Sequence, residues 1–179
     1  MVNLIPNTKL TPLDFVRMLY PFAKATQDKT GISAIAILAQ AALESGWGKS
    51  CPGWAYFGVK DSDGLNGNEQ LLVTTEYSRS ATLNFPEIIS ITPCIRSGQK
   101  YFKYVIKDWF RKYISPEECF TDHASFFLRN PRYANALAVR DNPYAFFVEI
   151  AKSGYATDPN YATLLGSIAK TIEKNLSLL

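Results

Sequence analysis

Glu44 is the residue of this chain whose setting most resembles that of an acid catalyst. It ends an almost uncharged helical run, Ile32 to Leu43 (ISAIAILAQAAL), and leads directly into a turn, Ser45-Gly46-Trp47-Gly48. A helix that is apolar on nearly every side is buried rather than amphipathic. A carboxyl group at the end of such a helix, beside Leu43 and Trp47, loses hydration on ionising. Its pKa therefore rises towards the range in which a carboxylic acid donates a proton near neutrality. An acid catalyst of this kind works with a second group placed opposite it. The lone histidine, His123, has no nearby His or Cys partner, and no Ser/His/Asp spacing supports a nucleophilic triad, so neither metal nor cofactor is expected.

The elements that must position these groups are marked by local signals. Thr11-Pro12-Leu13-Asp14 has the form of a helix start, with Thr11 as cap and Pro12 at the first helical position, and the helix should run to about Asp28. Gly31 separates it from the buried run of Ile32 to Leu43, so the two should form a helical hairpin. From Cys51 onward Pro52, Gly53, Gly58, Gly64 and Gly67 make a loop-rich segment. Strand-like runs follow at Gln70 to Thr75 and Tyr101 to Ile106, the second after a Ser97-Gly98 turn, which predicts an antiparallel β-lobe. Ser115-Pro116, Asn142-Pro143 and Asp158-Pro159-Asn160-Tyr161 each open a helix in the last third.

Composition narrows the class. The 179 residues are 47% hydrophobic and 13% aromatic, enough for a sizeable core, with no apolar run long enough to span a membrane. Nineteen basic residues against 16 acidic give +3, scattered without a polybasic run, so neither a nucleic-acid partner nor membrane insertion is expected. Cys51, Cys94 and Cys119 include no Cys-x-x-Cys pair and indicate no zinc site, while pairing of any two stays open. Met1 to Pro6 lacks the basic and apolar regions of a secretory signal, which leaves an excised domain, phage-type release or another non-standard export route.

The segment Ala39 to Ser50 (AQAALESGWGKS), followed by Tyr56-Phe57-Gly58-Val59-Lys60, resembles the glucosaminidase family of peptidoglycan hydrolases, which includes flagellar muramidases and autolysins. The likeness continues in order through Thr74-Thr75-Glu76-Tyr77, Phe110-Arg111-Lys112-Tyr113, Asp122-His123-Ala124, Asn130-Pro131-Arg132-Tyr133-Ala134 and Gly154 to Ala162 (GYATDPNYA), covering about residues 30 to 165. The resemblance implies an α+β class: a mainly helical, lysozyme-like fold, with a small antiparallel β-lobe flanking the catalytic cleft. It implies a single catalytic domain over residues 1–179, monomeric, acting in the cell wall, periplasm or outside the cell. The reaction it implies is cleavage of the β-1,4 bond on the reducing side of N-acetylglucosamine in peptidoglycan strands.

By the same resemblance Glu44 is the general acid, Glu76 the general base and Tyr155 the functional tyrosine of the cleft. Trp47, Trp54, Tyr56, Phe57 and Tyr133 are the expected sugar-binding aromatics, with Phe57 also readable as core. Gly58 would permit close approach or a left-handed turn, and Asp122 is either a cleft residue or a structural acceptor. Phe126, Phe127, Phe146 and Phe147 read as core. The chain departs from the family between Tyr77 and Trp109, where the connection is longer. In a second register Thr92 to Gly98 occupies the hairpin, Cys94 takes the carboxylate position, and Glu76 or Glu87 would have to reach in. Two other outcomes stay open: a catalytically silent peptidoglycan-binding or assembly domain, and lytic transglycosylase-type cleavage by Glu44 alone.

Overall fold

Charge-free sequence decides which helix lies at the centre. The computed structural model describes residues 9–61 and 66–179, so the signal-sequence reading of Met1 to Pro6 and the expected loop residue Gly64 lie outside it. Two compact units emerge, one made of residues 1–57 and 113–179 and the other of residues 58–112.

The first unit is helical. Helix α1 (Pro12–Thr30) starts as expected: the Thr11 hydroxyl accepts from the Asp14 N–H at 3.2 Å, and Pro12 fills the first turn. It stops at Gly31, in the left-handed region at φ 75. A side chain there would be strained in backbone and would place its Cβ 2.5 Å from Arg140 Nε. Helix α2 (Ala34–Ser45) begins two residues later than expected because Ser33 takes the cap position, and it buries Ala34, every residue from Ala36 to Ala42, and Ser45. It packs against α1 and against α6 (Tyr161–Leu176). Helices α3 (Pro116–Arg129), α4 (Ala134–Ala138) and α5 (Pro143–Lys152) complete the unit. Ser115 caps α3 through the Glu118 N–H, and Asn142 caps α5 through the N–H groups of Tyr144 and Ala145. Phe15, Leu19, Leu38, Phe120, Phe127, Phe146, Phe147, Leu165 and Ile172 form the core. Phe126 departs from expectation: it is 41% exposed, because it lies on the solvent side of α3 next to the buried Phe127.

The second unit is a three-stranded antiparallel sheet of order β1-β3-β2, with β1 (Glu69–Ser78), β2 (Glu87–Arg96) and β3 (Gln99–Arg111). Strand β1 alternates: Leu72, Thr74, Glu76 and Ser78 are half-buried while Leu71, Val73, Thr75 and Tyr77 are exposed. Tyr104 and Ile106 of β3 lie fully buried opposite Glu76 and Thr74. Strands β2 and β3 are joined by Ser97 (φ 48) and Gly98 (φ 73), the two positive dihedrals a tight two-residue hairpin requires. The sequence expectation lacked β2, whose Pro93 argues against a strand in general. An edge position tolerates proline, since one ladder face needs no donor.

Among the described residues no helix is long and apolar enough to cross a membrane, no cluster of His, Cys, Asp and Glu could hold a metal, and the cysteines form no disulfide.

His123 on α3 links the core to pH. Its ring is 5% exposed, stacked at 3.7 Å on Phe57 and set edge-on to Phe127 at 5.1 Å. Burial pushes its pKa down to about 3, against a smaller opposing pull from Asp122. The folded state then binds fewer protons than the unfolded chain below the free-histidine pKa of about 6.5, so acidification costs stability, at about 1.4 kcal/mol per pH unit. We expect denaturant titrations at pH 6.5 and pH 5 to show a loss roughly 2 kcal/mol greater in the wild type than in His123→Gln. Equal losses in the two proteins would refute this account.

Candidate functional site

The sequence Glu44-Ser45-Gly46-Trp47-Gly48 ends α2 by force of backbone geometry. Gly46 (φ 58), Trp47 (φ 60) and Gly48 (φ 83) are successively left-handed. The Gly46 N–H caps Ala42 and Leu43, and the Ser45 hydroxyl donates to the Ala41 carbonyl at 2.6 Å while accepting from the Gly48 N–H at 2.9 Å. A non-glycine residue at φ 60 is sparsely populated, and such strain is held where the surroundings over-determine it. The result is a helix that stops one residue after Glu44.

The residue as a whole is exposed, more so than the sequence suggests, yet its carboxyl lies within reach of the Tyr161 hydroxyl, which donates to Glu44 Oε1 at 3.4 Å. Partial burial raises the Glu44 pKa, and the Tyr161 hydrogen bond opposes part of that rise. The negative end of the α2 dipole acts in the same direction as burial. Gln40, one turn earlier on α2 and buried, donates from Nε2 to the Tyr161 hydroxyl at 3.3 Å. The series Gln40, Tyr161, Glu44 therefore runs from the core to the surface. A carboxyl group whose pKa is raised by desolvation, with one side open to solvent, has the setting of a proton donor to a leaving oxygen.

Tyr155 follows the left-handed Gly154 (φ 74) just after α5. Its hydroxyl lies 2.8 Å from His123 Nε2, and its ring meets Tyr161 at 5.6 Å and Phe127 at 5.3 Å. Burial, reinforced by the charges of Tyr161 and Glu44, raises its pKa far above the ordinary phenol value, so it is a neutral hydrogen-bonding group. The helical unit thus brings Glu44, Tyr161, Tyr155 and His123 into one connected cluster.

The expected aromatic subsites divide. Trp47 and Trp54 (φ 59) are half-buried, with Trp47 packed edge-on to Phe15 at 5.3 Å, so each keeps exposed surface. Phe57 gives one ring face to His123. Tyr56 and Tyr133 are 3% and 2% exposed, a correction to their expected role as sugar-stacking rings: Tyr56 packs on Phe15 and Phe120, and Tyr133 on Phe126 and Phe127. Asp122 accepts from the Tyr113 hydroxyl at 2.8 Å and faces Arg129.

Glu76 and Gly58 belong to the sheet unit. Gly58 is left-handed at φ 57. Glu76 on β1 faces Lys60, whose Nζ lies 2.7 Å from Glu76 Oε1 and 2.7 Å from Asp108 Oδ2. Cys94, the alternative occupant, pairs with Tyr101 near the Ser97-Gly98 turn. Glu76 pairs with Tyr104, three positions from Tyr101 on β3, so the two candidates lie on opposite faces of the sheet. Glu87 is tied to Lys107 at 2.8 Å.

Gln40, Tyr161 and the His123 bond to Tyr155 were not anticipated. A signal existed for the first, since Gln40 is the one amide in an otherwise apolar helix and lies four residues before Glu44, on the same face. Nothing local marks Tyr161 or His123, because their partners are 117 and 32 residues distant.

Residues 20–174 match the glucosaminidase family, described as mannosyl-glycoprotein endo-beta-N-acetylglucosaminidase. The peptidoglycan hydrolase FlgJ of Pseudomonas aeruginosa is 34% identical over 167 residues, covering 89% of this chain and 36% of that protein. FlgJ of Vibrio cholerae is 33% identical over 154 residues, covering 83% of the chain and 40% of that protein. The chain thus spans well under half the length of these curated relatives. The solved glycoside hydrolase domain of Salmonella typhimurium FlgJ superimposes with a TM-score of 0.71 at 29% identity, covering 94% of this chain and 92% of that one. On the extent of the family match, the chain belongs to the glucosaminidase family.

Proposed function

We propose that the chain is a peptidoglycan hydrolase that cleaves the β-1,4 bond between N-acetylglucosamine and N-acetylmuramic acid, leaving N-acetylglucosamine at the new reducing end. The observation that carries this reading is Glu44: a carboxyl group of raised pKa, at the end of a buried helix, hydrogen-bonded by Tyr161 and open on one side. Family membership and the FlgJ relatives supply the substrate class.

Glu44 protonates the glycosidic oxygen as the bond breaks. Positive charge develops on the sugar, and Glu76 is assigned to activate the water that meets it. For that role Glu76 must release the Lys60 ammonium that it holds at 2.7 Å. Tyr155, held by His123, supplies a fixed neutral hydroxyl for the substrate acetamido group. The Lys60 contact also favours a second reading, in which Glu44 works alone as acid and then base and internal attack yields an anhydro sugar.

Digestion of purified peptidoglycan, borohydride reduction of the new ends and mass spectrometry separate the two. The expected products are reduced N-acetylglucosamine ends, with the rate falling roughly 10³-fold in Glu44→Gln and at least roughly 10²-fold in Glu76→Gln. Anhydro-muramic ends would establish the second reading, and full activity in Glu44→Gln would eliminate both.

Tyr161 gives a prediction for the pH profile. Its hydrogen bond favours the ionised form of Glu44, so Tyr161→Phe raises the Glu44 pKa further. A general acid must be protonated to act, so kcat/KM falls as pH rises through that pKa. The alkaline limb of the profile should move to higher pH in Tyr161→Phe, and a limb that stays in place or moves down would show that Tyr161 does not tune Glu44.

A further inference from the structure

The sheet unit carries a one-signed, aromatic-lined face that the catalytic reading does not use. Between Tyr77 and Lys107 the sole carboxylate in the sequence is Glu87, and it is committed to Lys107 at 2.8 Å. The same stretch holds Arg79, Arg96, Lys100 and Lys103, none of which has a carboxylate partner among the described residues. Strand register places most of these together. Residues directly opposite share a face, and Lys103 stands opposite Tyr77 of β1 and Thr92 of β2, with Tyr101 opposite Cys94 and Gln99 opposite Arg96. Tyr77, Arg79, Arg96, Tyr101 and Lys103 therefore line one face.

The arginines are ordered there without being neutralised. The Arg96 guanidinium lies 4.0 Å from the centre of the Tyr77 ring, and that of Arg79 lies 5.7 Å from the Tyr101 ring while donating to Gln99. A guanidinium laid on a ring keeps its N–H groups in its own plane, where they donate in pairs to carboxylates. With Lys103 exposed beside them, three cations are presented on one face of the sheet.

We propose that this face docks the carboxylate-bearing peptide stems of peptidoglycan, on the side of the sheet opposite Glu76. The proposal rests on the peptidoglycan reading given above. Charge complementarity selects the occupant: three cations on one face, without carboxylate partners among the described residues, suit a polymer that repeats its carboxylates along a chain. A second copy of this chain added at the β2 edge is disfavoured, because Pro93 lacks a donor and the ladder is interrupted between Ile88 and Ser90.

The test is co-sedimentation with insoluble sacculi, stripped of phosphodiester polymers by hydrofluoric acid, using the wild type and Arg96→Glu/Lys103→Glu. At low salt the variant should bind roughly tenfold more weakly or worse, and wild-type binding should weaken progressively with added salt. Amidation of the sacculus carboxylates should abolish the difference between the two proteins. Cleavage of short soluble glycan fragments lacking stems should be the same in both, which also shows that the variant is folded. Equal binding of variant and wild type, salt-insensitive wild-type binding, undiminished binding to amidated sacculi, or retention on phosphatidylglycerol vesicles in place of sacculi would each overturn the docking proposal. If the wild type instead fails to cleave either substrate, it is the peptidoglycan reading itself that falls.

Discussion

Everything in the helical unit depends on burying α2 along its length. A helix can be enclosed by α1 and α6 only if nothing on it demands water, and the run from Ala34 to Leu43 meets that condition with a single amide, Gln40. Gln40 does not break the rule, because its Nε2 finds the Tyr161 hydroxyl. The first charge on the helix is Glu44, and it arrives in the last turn, where three successive left-handed residues turn the chain away. Core formation and acid placement are thus one constraint. The apolar sequence that pulls α2 inward also fixes where its only carboxyl must emerge.

Much of this was legible from local signals, for physical reasons. Thr11-Pro12, Ser115-Pro116 and Asn142-Pro143 are helix starts whatever surrounds them, because the cap acts within three residues. Gly31 and Gly46 end helices by a dihedral that few other residues accept. What escaped was whatever depends on partners far along the chain. Tyr56 and Tyr133 carry the same side chain as Tyr155, and no local pattern distinguishes two that pack inside the core from one whose hydroxyl meets a histidine. Strand β2 was hidden by Pro93, whose meaning reverses between the middle and the edge of a sheet.

The histidine illustrates how one packing decision serves two ends. Enclosed by Phe57, Phe127 and Tyr155, His123 is kept neutral, so its bond to Tyr155 stays intact where a free imidazole would be titrating. The same enclosure makes the fold sensitive to acid. Rigidity near Tyr155 and vulnerability at low pH have one origin, the refusal of an aromatic box to hydrate a cation.

Lys60 holds Glu76 and Asp108 at once, each at 2.7 Å. A lone ion pair that loses one member strands the other, but here the ammonium has a spare anchor. Glu76 can swing away and Asp108 still holds the lysine, so β1 can change the company its carboxylate keeps at little electrostatic penalty in this solvent-exposed setting. The arrangement works as a swivel: one pin stays fixed while the other is free to turn.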